Sequence, residues 1–157
     1  MRVIVTRPET DAQAWLDAIQ KAGHEAVYLP LIEIGPAPDT QAVDIAWQEW
    51  QRWQAVMFVS AQAVRYFFES QPGNLTWTKG PRCWATGPGT HKALLQAGVP
   101  EARIDSPAAD AAQFDSEALW QRVSAQVQTG KPVLIVRGLD VNTQPDAALN
   151  GTGRDWL

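Results

Sequence analysis

With 157 residues, 45% of them hydrophobic and 19% charged, the chain is long enough to bury one good core in an ordinary globular domain. A formal net charge of −4, with the basic residues scattered, argues against bulk attraction to nucleic acid, and no apolar run approaches the roughly 20 residues needed to cross a bilayer. The single cysteine, Cys83, excludes an internal disulfide and a multi-thiolate metal site, and neither His24 nor His91 has metal-ligand spacing around it, so no metal is expected.

No basic region followed by a long apolar stretch opens the chain, so the expected compartment is the cytoplasm. Residues 3–5 read as a buried strand. Thr10 with Gln13 three residues later has the form of a capping box, after which Ala12, Trp15, Leu16, Ile19 and Ala22 fall at helical spacing until Gly23 stops the helix. A second strand over residues 26–29 completes a βαβ unit with a right-handed parallel crossover.

Residues 34–39, with two prolines and a glycine, suit a stiff extended connector and mark a domain boundary. Beyond it, residues 42–53 predict a helix carrying Trp47, Trp50 and Trp53 at steps of three, read as a core-facing surface and not as a ligand platform. The alternation continues with strand 55–59, helix 61–69, strand 82–85 and helix 90–97. Cys83, beside Trp84 in a strand, reads as a small core residue. Arg103 and Ile104 suggest a short strand, residues 116–127 a helix behind the acidic start Asp115-Ser116-Glu117, and residues 133–136 a last strand; residues 139–153 read as a long loop. Regular β/α alternation predicts a doubly wound parallel sheet.

In open α/β sheets ligands bind beyond the carboxyl ends of the strands, which selects four turns: Thr6-Arg7-Pro8, Ser60-Ala61-Gln62-Ala63, Thr86-Gly87-Pro88-Gly89-Thr90 and Arg137-Gly138. In the third, Gly87 and Gly89 would let the backbone turn tightly and approach a ligand while Thr90 capped the helix. The same tetrapeptide reads equally as a plain strand-to-helix turn, since it completes neither a phosphate-loop nor a dinucleotide pattern. Ser60 lacks the flanking glycines of a nucleophile elbow and reads as a helix cap. Arg7 and Arg137 are the anion candidates, each with a surface ion pair as its alternative role.

At these turns the sequence resembles the uroporphyrinogen-III synthase family. The resemblance rests on Val5-Thr6-Arg7-Pro8, on Leu29-Pro30-Leu31-Ile32 and on Phe58-Val59-Ser60-Ala61-Gln62-Ala63-Val64. It continues through Ala85-Thr86-Gly87-Pro88-Gly89-Thr90 with Leu94 and Gly98, Phe114-Asp115-Ser116-Glu117-Ala118-Leu119, the strand ending at Arg137-Gly138, and Gly153-Arg154-Asp155-Trp156-Leu157. Each motif is short; their joint order over the whole chain makes the match.

The resemblance implies a two-domain α/β architecture of doubly wound, flavodoxin-like parallel sheets. Residues 1–34 would open domain one, left incomplete, residues 35–39 would link, and residues 40–157 would form a nearly complete domain two. It implies a lyase that cyclises hydroxymethylbilane with loss of water and inversion of the last pyrrole ring, in haem biosynthesis, with no cofactor, nucleic acid or membrane partner and as a monomer. The implied substrate-binding residues are Thr6, Arg7, Ser60, Gly87, Pro88, Gly89, Thr90, Arg137 and Gly138, with no acid or base assigned. The ending at Leu157, where a helix is expected to begin, predicts a truncated sequence that is a poor catalyst by itself. A non-catalytic anion-binding module of flavodoxin-like or periplasmic-binding-like fold would be stabilised by its ligand without turnover. A phosphotransfer receiver domain would need an acidic cluster after its first strand, where this chain has Thr6-Arg7-Pro8.

Overall fold

The computed structural model describes residues 1–73, 75–77, 80–108, 111 and 113–138. The expected loop at 139–153 and Arg154 lie outside the described residues. The chain divides into two compact units, Met1–Pro36 and Ala37–Leu157.

In the first unit, β1 (Arg2–Val5) and β2 (Glu25–Tyr28) pair in parallel, Val3 against Ala26 and Val5 against Tyr28, and α1 (Glu9–Lys21) forms the crossover. The helix starts at Glu9 with Pro8 as its N-cap, one residue before the expected cap, so position 10 lies in its first turn and not at the cap. Proline's fixed φ and the acidic Glu9 and Asp11 in the first turn suit that start. At the other end Gly23 takes φ 78°, its N–H bonds to the Gln20 carbonyl and the His24 N–H to that of Ile19, which is the Schellman arrangement that a glycine makes cheap.

The second unit holds α2 (Gln41–Gln48), β3 (Ala55–Phe58), α3 (Ala61–Glu69), β4 (Arg82–Ala85), α4 (Pro88–Gln96), β5 (Ile104–Asp105), α5 (Ser116–Val123) and β6 (Val133–Val136). The four strands form one sheet in the order β5-β4-β3-β6, every pair parallel. Counted within the unit this is third, second, first, fourth, so the order reverses between β3 and β6.

Alternation along the strands sorts their side chains onto two faces. Val56 and Phe58 of β3 join Cys83 and Ala85 of β4 in a core covered by Trp47 of α2, Val64 and Phe67 of α3, and Leu94 of α4. Ala55, Met57 and Trp84 point the other way, against Leu119 and Val123 of α5. Helices on both faces make the sheet doubly wound. Phe58, Val64 and Leu94 are fully buried, each contributing about 2 kcal/mol through apolar area removed from water.

Two helices are shorter than their patterns. The run expected over 42–53 ends as α-helix at Gln48 and tightens to a 3-10 turn at Trp50–Arg52. That bend lets the Trp53 indole donate to the Ala46 carbonyl at 3.2 Å, while the Trp47 indole donates to Phe67 O at 3.1 Å. Trp47 and Trp50 are core residues, as their spacing predicts, with Trp47 rings 4.6 Å from Trp50 and 4.5 Å from Phe67. The helix expected over 116–127 likewise ends at Val123 and gives way to a 3-10 turn at Ser124–Gln126. Arg103 falls in a 3-10 turn before β5 and outside the strand expected to include it.

Candidate functional site at the carboxyl edge of the sheet

Register builds the site. Phe58 at the end of β3 pairs with Ala85 of β4 on one side and Val136 of β6 on the other, so the residues after these three strand ends emerge together. Two ladder bonds continue past the ends, from Val59 N–H to the Val136 carbonyl at 3.3 Å and from Thr86 N–H to the Phe58 carbonyl at 3.4 Å. Ser60, Thr86-Gly87 and Arg137-Gly138 are thereby gathered on one edge, at the β3/β6 reversal and one strand beyond it. In doubly wound sheets this is where ligands bind.

Each residue there has a local task. Ser60 Oγ accepts from the Ala63 N–H at 3.1 Å and caps α3. The Thr86 hydroxyl donates to the Val59 carbonyl at 3.2 Å, tying the two strand ends together. Arg137 and Gly138 are exposed after β6.

The glycine turn works differently from its sequence expectation. Gly87, not Thr90, is the N-cap of α4, Pro88 fills the first helical position, and His91 N–H bonds to the Gly87 carbonyl at 3.0 Å. Thr90 sits inside the first turn and is only 5% exposed. Neither Gly87 nor Gly89 takes a positive φ, so the turn does not depend on left-handed backbone. Gly87 is set apart by its surroundings: a β-carbon there would meet Phe114 Cβ at 3.3 Å, a tight contact from which Phe114 must give, whereas Gly89 has open space around it.

Thr6 and Arg7 occupy the corresponding position after β1 in the first unit. Both are exposed; the Thr6 carbonyl accepts from the Leu31 N–H at 3.3 Å, and the Arg7 guanidinium lies 5.2 Å over the Trp15 ring, a cation–π contact that holds it in place.

A hydrogen-bonded chain that no sequence motif marks lies beside this edge. His91 Nδ1 lies 3.1 Å from Ser106 Oγ, and His91 Nε2 lies 3.1 Å from Glu101 Oε1. The three residues come from α4, the segment after β5 and the 3-10 turn before it, so no short motif could announce them. Cys83 is excluded as a nucleophile: it is buried, and that burial pushes its thiol up to about 12. Among the described residues no group of three histidine, cysteine, aspartate or glutamate side chains could hold a metal ion.

A cavity of about 550 Å³ lies at the opposite end of the sheet, between residues that precede or begin strands, such as Gln54, Arg82 and Pro132. There Arg82 Nη2 donates to Asp105 Oδ1 at 2.9 Å, and Gln54 donates to the Lys131 carbonyl. The hydrogen bond to Asp105 raises the Arg82 pKa, more than burial lowers it. Size alone does not make this the site, because these groups satisfy one another in bracing the sheet.

Fold and edge together define a doubly wound α/β protein of the type that takes ligands beyond the carboxyl ends of its strands. Residues 13–155 match the family described as uroporphyrinogen-III synthase HemD, and the chain belongs to that family. It is 27% identical over 157 residues to the uroporphyrinogen-III synthase of Chlorobaculum parvum, an alignment covering 96% of this chain and 59% of that relative. The chain thus spans about three fifths of the length of the curated relative it matches.

Proposed function

We propose that the protein carrying this chain is a uroporphyrinogen-III synthase, a lyase that cyclises hydroxymethylbilane with loss of water and inversion of the last pyrrole ring. The observation that carries the reading is the family match over residues 13–155, which contains the strand ends and turns that register assembles into one edge. Ser60, Gly87, Pro88, Gly89, Thr90, Arg137 and Gly138 line the substrate-binding edge of the second unit in this reading, and Thr6 and Arg7, on the turn after β1, are the substrate-binding residues of the first unit. Gly87 and Thr90 serve it mainly by shaping the turn, since Thr90 is buried.

The task of such a site is to hold a flexible chain with eight carboxylates in one reactive conformation and to stabilise the charge that develops when the hydroxyl leaves. Both are effects of orientation and electrostatics. Arg137 supplies a cation, and the backbone N–H groups at the start of α4 supply donors. Residues 1–34 would contribute the first strands of one domain and residues 40–157 the second, joined by 35–39. We further propose that the protein acts as a cytoplasmic monomer. No described helix is long and apolar enough to cross a membrane.

Product composition tests the reading. Free hydroxymethylbilane closes spontaneously without ring inversion, so the full-length protein should convert it predominantly to the type III isomer. A product mixture equal to that of the uncatalysed control would overturn the assignment.

A further inference from the structure

The hydrogen-bonded chain Ser106–His91–Glu101 has no part in shaping the fold's core, yet both nitrogens of one imidazole are engaged. His91 Nε2 faces Glu101 Oε1 and Oε2 at 3.1 and 3.3 Å, and Nδ1 faces Ser106 Oγ at 3.1 Å. An ionised carboxylate can only accept, so Nε2 carries a hydrogen in either charge state of the ring. The variable proton is therefore the one on Nδ1. When the ring is neutral, Nδ1 accepts from the Ser106 hydroxyl and turns its hydrogen inward. When the ring is protonated, Nδ1 donates to Ser106 Oγ, and the serine hydrogen is released to point elsewhere.

Its position matters as much as its polarity. Trp84 of β4 pairs with Asp105 of β5, so Ser106 follows its strand at the level of Ala85, immediately before Thr86-Gly87 on the neighbouring strand. Ser106 is half-buried, the His91 side chain is 22% exposed and that of Glu101 68% exposed. Glu101 is the carboxylate in ion-pair contact with His91 among the described residues; the charged groups on the elements packed beside the ring are Arg65 and Glu69 on α3, Arg82 on β4, Lys92 on α4 itself, Arg103 in the turn that carries Glu101 and Asp105 on β5 before Ser106.

We propose that Ser106, His91 and Glu101 form a proton relay opening on the ligand edge of the sheet, with Ser106 as the group that protonates the departing hydroxyl of the substrate. The inference rests on the function proposed above. As the bond from the terminal hydroxymethyl carbon to oxygen breaks, its electron pair leaves with the oxygen, which takes the Ser106 proton and departs as water. The Nδ1 proton of His91 moves to Ser106 Oγ, and the pyrrole nitrogen lone pair fills the vacancy at carbon. After ring closure and inversion the new ring loses one proton from carbon, which returns through Ser106 to His91, so the relay ends as it began. Ser106 is the catalytic residue of this scheme, and His91 and Glu101 position and recharge it.

The test is the pH dependence of type III formation by the full-length protein, its Ser106→Ala and His91→Gln variants, and Ser106→Thr, which restores a hydroxyl. Because a proton must be supplied to the departing oxygen, the wild type should lose kcat as pH rises. Ser106→Ala and His91→Gln should lower kcat about a hundredfold with KM little changed, and should lose that pH dependence; Ser106→Thr should recover much of the rate. Variants that keep the wild-type kcat, or that slow the reaction while keeping its pH profile, overturn the relay and leave the function standing. Should His91→Gln not fold, Ser106→Ala, which removes one oxygen from a half-buried side chain, carries the same decision. A wild type that makes no type III product removes the function and the relay together.

Discussion

A β-carbon placed on Gly87 would stand 3.3 Å from Cβ of Phe114, so the segment leading to α5 lies directly over the cap of α4. That contact separates the two glycines of the turn. Gly87→Ala forces Phe114 to shift and puts a poor residue at an N-cap, and it should cost about 1 kcal/mol. Gly89 has nothing within 4 Å of its would-be β-carbon and lies inside the first turn of the helix, so Gly89→Ala should raise stability by about 0.5 kcal/mol. Urea denaturation of both variants checks the pair; equal shifts in the same direction would contradict it.

Arg137 is exposed and follows the strand at the order reversal. Replacing it with alanine in the full-length protein should raise KM for hydroxymethylbilane about tenfold while changing stability by no more than about 0.5 kcal/mol. Steady-state kinetics beside a melting curve decide this. An unchanged KM takes Arg137 out of the site.

Asp105 is 8% exposed and holds Arg82 through two hydrogen bonds. Asp105→Ala leaves the guanidinium beside the sheet without its carboxylate. Because the Arg82 side chain is 36% exposed, water compensates in part, and the loss should be about 2 kcal/mol, below the range for a fully buried pair. Arg82→Ala with Asp105→Ala should cost less than the sum of the single changes. A fully additive double-mutant cycle would show that the two side chains do not act as a pair.

Between pH 9.0, the ordinary value of the thiol, and about 12, its value in the folded chain, the unfolded chain gives up a Cys83 proton that the folded chain keeps. The folded state binds more protons over that window, so stability should fall as pH rises through it. Cys83→Ala should remove this component of the alkaline loss. The native thiol should react with iodoacetamide at pH 8 no faster than the protein opens, and a rapid reaction without unfolding would show that the side chain is accessible.

The strands were legible because Ala55–Phe58, Val133–Val136 and the three residues after Arg82 are short apolar runs, and the family resemblance rested on the turns themselves. The misreading of Thr90 came from weighing its hydroxyl above Pro88, whose fixed φ already marked the first helical position. The early end of α2 depends on the Trp53 indole reaching back to Ala46, a contact that periodicity does not encode. Arg82–Asp105 and Ser106–His91–Glu101 could be found only once β4 and β5 were known to be neighbours. Side chains that meet across strands or helices have no local spacing by which to be read.

The strand order also bears on how the chain reaches this fold. Ala55 of β3 pairs with Arg82 on one side and with Val133 on the other, and the loop closed by the second pairing is roughly three times as long as that closed by the first. The extra closure entropy is about 1 kcal/mol, enough to make pairing with β6 the later event. Substitutions in β4 or α3 should therefore slow folding, whereas Ile135→Val on β6 should act mainly by speeding unfolding. The reversal beside β3, where the proposed site lies, is thus also the place where the sheet would close last and open first.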